Sequence, residues 1–198
     1  LVRRVPSDLF GLAELQASGM FGEPELQLLR QIIGRRENFL IAGGAGAGKT
    51  TLLRAMLAEC RGDRVIAVED VAEIGLQVGH FISLQTRQPN IEGAGEIGLE
   101  KLVREALRMR PDRIVVGEVR GPELLVMVQA LNTGHRGGGA TIHANSFESV
   151  VDRVGAIGWQ RGLAAPEVIA QVKSAIHWLI FIGREQGARR ILKIGRFQ

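Results

Sequence analysis

The sequence predicts an α/β fold with a mostly parallel sheet flanked by helices and a C-terminal antiparallel hairpin. Short apolar segments of strand length alternate with segments in which apolar residues recur every three or four positions, a pattern typical of parallel sheets. The last two apolar segments are joined by a turn containing Gln186-Gly187, which indicates a hairpin. A hydrophobic content of 45% and a net charge of +4 indicate one globular domain over residues 1–198.

Seven segments are predicted to be helical from their caps and their apolar spacing. Ser7 is a suitable N-cap for the first, and Pro24 suits the first turn of the second. Leu99 and Leu102 begin the apolar face of the fourth, which Pro111 terminates. The predicted helices cover residues 7–18, 24–33, 50–60, 99–107, 122–132, 147–159 and 166–174.

Seven apolar segments are predicted to be strands. The segment 38–42 leads into a glycine cluster, and the segments 64–68 and 114–116 are followed by acidic residues. Because parallel strands direct their carboxyl ends at the ligand crevice, we expect these glycines and acids to lie together. The predicted strands cover residues 38–42, 64–68, 80–86, 114–116, 140–143, 178–182 and 190–194.

Composition excludes several classes of protein. Glycine accounts for 26 of the 198 residues, and 11 of these lie in three clusters at residues 43–48, 93–98 and 134–139, without the three-residue period of collagen. The single Cys60 excludes a disulfide framework and fits a reducing compartment. No apolar run approaches the roughly 18 residues that span a bilayer. The 25 basic residues are scattered, so charge alone does not predict nucleic-acid binding.

Residues 43–50 satisfy the P-loop (Walker A) pattern G-x-x-x-x-G-K-[ST], between a predicted strand and a predicted helix. Small residues let successive backbone N–H groups surround a phosphate, and the helix N-terminus adds partial positive charge. Lys49 is predicted to reach the β- and γ-phosphates, Thr50 to bind Mg²⁺ and Thr51 to contact the α-phosphate. The predicted nucleotide-binding residues are Gly43, Gly44, Ala45, Gly46, Ala47, Gly48, Lys49, Thr50 and Thr51.

A P-loop enzyme also needs a carboxylate beside the metal and a group that activates water. Glu118 follows one apolar strand and Glu69-Asp70 follows another, and Gly117 stands where an aspartate is more usual. Metal coordination is therefore expected from Glu118, from the acids after Val68, or through water. For Glu73, a helix cap or surface position is as well supported as a chemical role.

Two histidines flank the third glycine cluster, His135 and His143, and His143 ends a predicted strand. That position makes His143 a candidate sensor of the γ-phosphate, and the cluster itself is expected to let the loop approach and leave the nucleotide. Four arginines lie near these segments: Arg87, Arg104, Arg108 and Arg120. An arginine aimed at a γ-phosphate stabilises transition-state charge, although ion pairs with Glu100 or Glu105 are favoured for any single one.

These motifs, taken in order, resemble those of the motor ATPases of type II and type IV secretion and of type IV pili. The resemblance rests on the P-loop, on Val68-Glu69-Asp70-Val71-Ala72-Glu73-Ile74, on residues 107–121, and on Thr141-Ile142-His143-Ala144-Asn145-Ser146. It extends over nearly the whole chain. Together with residues 85–90, the motifs look most like the Tad/CpaF branch, which assembles Flp-type pili.

The resemblance implies a RecA-like ATPase core without the family's N-terminal domain. It implies that Glu118 and Glu69 share water activation and Mg²⁺ positioning, and that His143 contacts the γ-phosphate region. Arg120 is a further catalytic candidate from its place next to these motifs. It also implies a hexameric ring at the cytoplasmic face of the inner membrane, docked on a platform protein there. Direct contact with nucleic acid is not expected.

The sequence therefore predicts Mg²⁺-dependent ATP hydrolysis that powers pilus assembly or protein secretion. A conjugative type IV secretion ATPase is one alternative. The others are a RecA-like nucleic-acid motor and a regulatory module that binds nucleotide without hydrolysing it.

Overall fold

A computed structural model of the chain describes residues 11–76 and 79–197. Within these residues the helices are α1 Leu12–Ala17, α2 Glu23–Gly34, α3 Lys49–Ala58, α4 Leu99–Arg108, α5 Glu123–Asn132, α6 Ser149–Trp159 and α7 Ala165–Ala175. The strands are β1 Phe39–Gly43, β2 Arg64–Glu69, β3 His80–Gln85, β4 Arg113–Val119, β5 Gly139–His143, β6 Trp178–Glu185 and β7 Ala188–Arg196. The predicted N-cap Ser7 lies outside the described residues.

The strands form one sheet in the order β3-β2-β4-β5-β1-β6-β7. All neighbouring strands from β3 to β6 run parallel, and β7 pairs antiparallel with β6 at one edge. The turn between β6 and β7 contains Gln186 and Gly187, both with positive φ, as short hairpins require. The predicted mostly parallel sheet with a C-terminal hairpin is confirmed.

Helices cover both faces of the sheet. Alternate residues of a strand point to opposite faces, so Leu40 and Ala42 of β1 contribute to one core, and Phe39 and Ile41 contribute to the other. The first core includes the buried faces of α5, α6 and α7, and the second includes those of α1, α2 and α3. No helix in the described part of the chain is long and apolar enough to span a lipid bilayer.

Strand register brings the predicted site residues to one end of the sheet, where the parallel strands have their carboxyl ends. Gly43, the last residue of β1, pairs with His143, the last residue of β5. Val68 of β2 pairs with Val116 of β4, so Glu69 and Glu118 follow at the same edge. The expectation that the glycines and acids after these strands lie together is met.

The third glycine cluster lies at the opposite end of the sheet, where the parallel strands, including β5, begin. Gly139 pairs with Phe39, four residues before Gly43 and so roughly 13 Å from it. A Cβ atom on Gly138 would lie 2.9 Å from the Ile114 carbonyl oxygen, and one on Gly139 would lie 2.4 Å from the Phe39 ring. Close packing between strand starts therefore explains Gly138 and Gly139, and the geometry does not favour the interpretation that these glycines let a loop approach the nucleotide.

Candidate phosphate-binding site

The P-loop connects the end of β1 to the start of α3, with a backbone that favours glycine at several points. Gly46 and Gly48 have φ angles of 68° and 104°, which residues with a Cβ atom rarely adopt. A Cβ atom on Gly43 would lie 2.3 Å from the Ile182 carbonyl oxygen of β6. The loop therefore begins against the neighbouring strand and turns into α3, whose first backbone N–H groups suit a phosphate.

Lys49, at the start of α3, is 8% exposed and bonds within the P-loop. Its Nζ donates to the carbonyl oxygens of Gly43 and Gly44, each at 3.0 Å. The N–H of Ala47 also donates to the Gly44 oxygen, at 3.3 Å. Burial lowers the pKa of Lys49, and the Glu118 carboxylate, 3.9 Å from Nζ, opposes this shift. A buried ammonium that holds only carbonyls and one carboxylate is well placed to bind an anion.

Glu118 lies between two cations at the end of β4. Its Oε1 faces Lys49, and its Oε2 accepts a hydrogen bond from Nε of Arg120 at 2.6 Å. The Arg120 guanidinium also lies 3.8 Å from Oδ2 of Asp70. The hydrogen bond to Glu118 raises the pKa of Arg120. Glu118 and Arg120 are thus together beside the P-loop, as the sequence predicts.

Glu123 was not predicted from the sequence, yet it shapes the same turn. Its carboxylate is buried in the first turn of α5, and Oε1 accepts the N–H groups of Arg120 at 2.6 Å and Gly121 at 2.8 Å. An acid in the first turn of the helix that follows this turn is the sequence signal that could have revealed it. Glu123 therefore fixes the backbone that carries Arg120.

Glu69 has a position different from the one expected of a metal ligand. It is 2% exposed, and Oε1 accepts the N–H groups of Glu73 and Ile74, each at 3.0 Å. Oε2 accepts the Ser83 hydroxyl of β3 at 3.1 Å. With both oxygens bonded to protein, Glu69 holds the loop after β2, so the geometry does not favour the predicted role of Glu69 as a metal ligand.

The acid beside the P-loop threonine is Glu73. The Thr50 hydroxyl lies 3.4 Å from Oε2 of Glu73, which is positioned through the bond from its own N–H to Glu69. The sequence left the role of Glu73 open between a cap and chemistry. Its position beside Thr50 now favours chemistry.

The two histidines lie at opposite ends of the sheet, one before β5 begins and one where it ends. His143 is exposed at the end of β5, level with the start of the P-loop. His135 precedes β5, with Nδ1 3.3 Å from the Ala130 carbonyl oxygen. Only His143 is near the P-loop.

Of the four arginines, only Arg120 joins the site. Arg104 and Arg108 pair with Glu100 at 3.0 Å and Glu105 at 3.1 Å on α4, as the sequence favoured. Arg87 Nε donates to the Gly95 carbonyl oxygen at 2.7 Å in the loop of the second glycine cluster.

The side chains near Thr50 fit a magnesium ion that is shared with phosphate. Among the described residues, no group of three or more His, Cys, Asp or Glu could hold a metal ion by itself. Magnesium commonly keeps several waters and binds one or two carboxylates together with substrate phosphates. The Thr50 hydroxyl and the Glu73 carboxylate would supply the ligands from the protein, whereas Glu118 faces Lys49 and Arg120.

The chain matches a protein family described as "Type II/IV secretion system protein" over residues 1–182. A putative conjugal transfer protein of Mycobacterium tuberculosis is 46% identical over 182 residues, which are 91% of this chain and 52% of that protein. The conjugal transfer protein TrbB of Rhizobium radiobacter is 33% identical over 98% of this chain and 58% of its own length. The chain thus spans little more than half of these relatives.

The fold also matches a solved structure, that of the VirB11 ATPase from the Brucella suis type IV secretion system in complex with sulphate. The TM-score is 0.77 at 24% identity, with 98% of this chain and 59% of that chain covered. At this identity the match supports the fold alone, and it confirms the predicted RecA-like architecture.

Proposed function

Because the chain belongs to the type II/IV secretion system protein family, we propose that it is the ATP-hydrolysing core of a secretion motor. One observation carries this proposal: the buried Lys49 of a P-loop lies 3.9 Å from Glu118 at the carboxyl edge of a parallel sheet. This pairing supports a site in which Lys49 contacts a terminal phosphate and Glu118, beside it, faces the attacking water.

Nucleotide binding would exchange contacts within the loop for contacts to phosphate. Lys49 would leave the Gly43 and Gly44 carbonyls for the β- and γ-phosphates, and the backbone N–H groups of residues 44–51 would surround the phosphate chain. Thr51 would contact the α-phosphate. These interactions position the nucleotide without a covalent intermediate.

Two carboxylates and one histidine would then act on the terminal phosphate. Glu118 would accept the proton of the attacking water, and Arg120 would hold the Glu118 carboxylate in place. Thr50 and Glu73 would position Mg²⁺, which neutralises phosphate charge when it is bound. His143 would donate to an oxygen of the γ-phosphate from the end of β5.

We propose that the working form is a homo-oligomer, a hexameric ring, as the family resemblance implies. The ring would dock on a platform protein at the cytoplasmic face of the inner membrane and convert hydrolysis into movement between subunits. The names of the relatives above favour a conjugative type IV system as the machine that the motor serves. Assembly of Flp-type pili by a Tad/CpaF motor stays a prediction.

The proposal is tested by measuring Mg²⁺-ATP hydrolysis and nucleotide binding with the intact protein. Lys49→Ala should abolish binding, whereas Glu118→Gln should retain binding and lose turnover by about two to three orders of magnitude. Glu105→Gln, in an exposed pair on α4, is the matched control and should behave as wild type. Full turnover by Glu118→Gln would refute the assignment.

Two alternatives give different results in the same assay. Strong stimulation by single-stranded DNA would indicate a nucleic-acid motor. Tight ATP binding by the wild-type oligomer without hydrolysis would indicate a regulatory module.

A further inference from the structure

The hairpin of β6 and β7 extends beyond the strand that leads into the P-loop. Gly43, the last residue of β1, pairs with Ile182, and β6 continues for three more residues to Glu185. At about 3.3 Å per residue, the tip of the hairpin projects roughly 10 Å past the end of β1. The first residues of β7 therefore lie beside the P-loop.

Arg189, the second residue of β7, contacts the outer side of the P-loop. Its Nε donates to the carbonyl oxygen of Gly46 at 3.0 Å. Its Cδ lies 3.4 Å from where a Cβ atom of Gly48 would be. The side chain thus binds one glycine of the loop and packs against another.

The backbone around Arg189 is tied to a second loop. The N–H of Ile191 donates to the carbonyl oxygen of Met20 at 2.9 Å. The Met20 side chain is buried, and its Cε lies 3.5 Å from where a Cβ atom of Gly48 would be. Met20 and Arg189 therefore both border Gly48, and the hairpin is held in place where it meets the P-loop.

The hydrogen bond from Arg189 to the Gly46 carbonyl oxygen also bears on the direction of the next backbone N–H, that of Ala47. The Gly46 carbonyl and the Ala47 N–H belong to one planar trans peptide, so they point in opposite directions. Arg189 holds the oxygen outward, and the Ala47 N–H points inward to the Gly44 oxygen at 3.3 Å. Gly46 lies in the left-handed region, with φ of 68°, where glycine has other conformations within easy reach.

We propose that Arg189 is a positioning residue for the phosphate-binding loop. Its Nε–H fixes the peptide between Gly46 and Ala47 so that the Ala47 N–H stays directed into the loop, where a phosphate oxygen would replace the Gly44 carbonyl oxygen as its acceptor. Nothing else in the hairpin performs this task within the described residues: Arg190, next in the chain, pairs with Glu185 at 3.6 Å. The inference rests on the proposed function, because it concerns how that nucleotide is bound.

A matched pair of variants separates the hydrogen bond from the bulk of the side chain. Glutamine carries its amide nitrogen at the same distance along the side chain as arginine Nε, so Arg189→Gln keeps the donor. Arg189→Met keeps a long stem and removes the donor. Arg190→Met is the control for a general effect on the hairpin.

The first measurement is the affinity of the intact protein for Mg²⁺-ADP and for Mg²⁺-ATP. Arg189→Met should weaken both by about five-fold, the effect of one net hydrogen bond, and should raise KM with kcat little changed. Arg189→Gln and Arg190→Met should stay within about two-fold of wild type. Equal weakening by the Gln and Met variants, or none by either, overturns the inference.

The second measurement needs no nucleotide. Amide hydrogen exchange across residues 44–48 should be faster in Arg189→Met than in wild type, and Arg189→Gln should restore the wild-type rate. Unchanged exchange in Arg189→Met also overturns the inference. Failure of wild type to bind nucleotide would instead refute the proposed function, and the exchange result would still decide the role of Arg189.

Discussion

Gly117 of β4 leaves no room for a side chain beside Glu69 of β2: a Cβ atom on Gly117 would lie 3.1 Å from Cγ of Glu69. The sequence shows Gly117 where an aspartate is more usual in P-loop enzymes. The structure supplies a physical reason, because the absent side chain leaves the space through which Glu69 reaches the loop after β2. The Gly117 carbonyl is also engaged, since it accepts the Thr141 hydroxyl at 2.6 Å.

Replacing Gly117 with alanine should therefore displace Glu69. We expect Gly117→Ala to lower the free energy of unfolding by about 1–3 kcal/mol, as overpacking of a dense core does. Urea denaturation measures this change. Gly34→Ala is the control, because no atom lies within 4 Å of its Cβ position. Equal stability of Gly117→Ala and wild type would show that Glu69 moves away freely.

Glu69, the last residue of β2, and Glu73, in the loop that follows, should differ in what they affect. Glu69→Gln removes an acceptor for Ser83 and weakens the bonds from two backbone N–H groups, so we expect a loss of about 1–3 kcal/mol in stability. Glu73→Gln should instead raise the Mg²⁺ concentration for half-maximal hydrolysis by about ten-fold. Magnesium titrations together with urea denaturation distinguish the two. The reverse pattern would restore Glu69 as the metal-side carboxylate.

The two histidines lie at opposite ends of β5, so substituting each one tests whether only the histidine near the P-loop affects turnover. His143→Ala should lower kcat by about 10- to 100-fold, because a donor to the terminal phosphate is lost. ADP affinity should change little, since ADP lacks that phosphate. His135→Ala should keep wild-type turnover. A His143→Ala enzyme with normal kcat would remove His143 from the mechanism.

Cys60 should make stability depend on pH in the alkaline range. Burial raises the pKa of its thiol to about 11 from 9.0. Between these values the folded chain binds more protons than the unfolded chain, so the free energy of unfolding falls as pH rises. We expect wild type to lose about 2 kcal/mol more than Cys60→Ala between pH 8.5 and pH 11. Parallel stability curves for the two proteins would contradict this.

The same burial should make Cys60 slow to react. Its Sγ lies 3.7 Å from the Met56 carbonyl oxygen, and the folded chain keeps it protonated at neutral pH. Alkylation by iodoacetamide at pH 8 should therefore be at least about ten-fold slower than in urea-unfolded protein. Equal rates would show that the segment just after α3 opens readily.

Periodicity and motifs were sufficient to predict the elements and the edge at which the site lies. The alternation of strands and helices fixes which strand ends face the P-loop, so Glu118 and His143 could be placed from sequence. The roles of Glu69 and Glu73 could not be told apart from the sequence, because the two acids are only four residues apart and side-chain direction alone decides which one faces Thr50. The family's ring and membrane partners stay predictions, as does the extent of the domain over residues 1–198.

Contacts between residues far apart in the chain could not be predicted from the sequence. Arg189 reaches Gly46 across 143 positions, and no local pattern indicates it. The role of the third glycine cluster could not be predicted for the same reason. Gly138 and Gly139 are required by Ile114 and Phe39, which belong to other strands and whose proximity depends on the register.

At the end of the sheet opposite the P-loop, the buried side-chain amide of Asn38 joins the starts of β1, β5 and β6. Asn38 Oδ1 accepts the N–H groups of Gly137 and Gly138, and its Nδ2 donates to the Ala175 carbonyl oxygen at 2.8 Å. Its own N–H donates to Nδ1 of His177 at 3.0 Å. This buried amide therefore fixes where β1, β5 and β6 begin relative to one another, and so fixes the register that brings Gly43 level with His143 and Ile182 at the other end of the sheet.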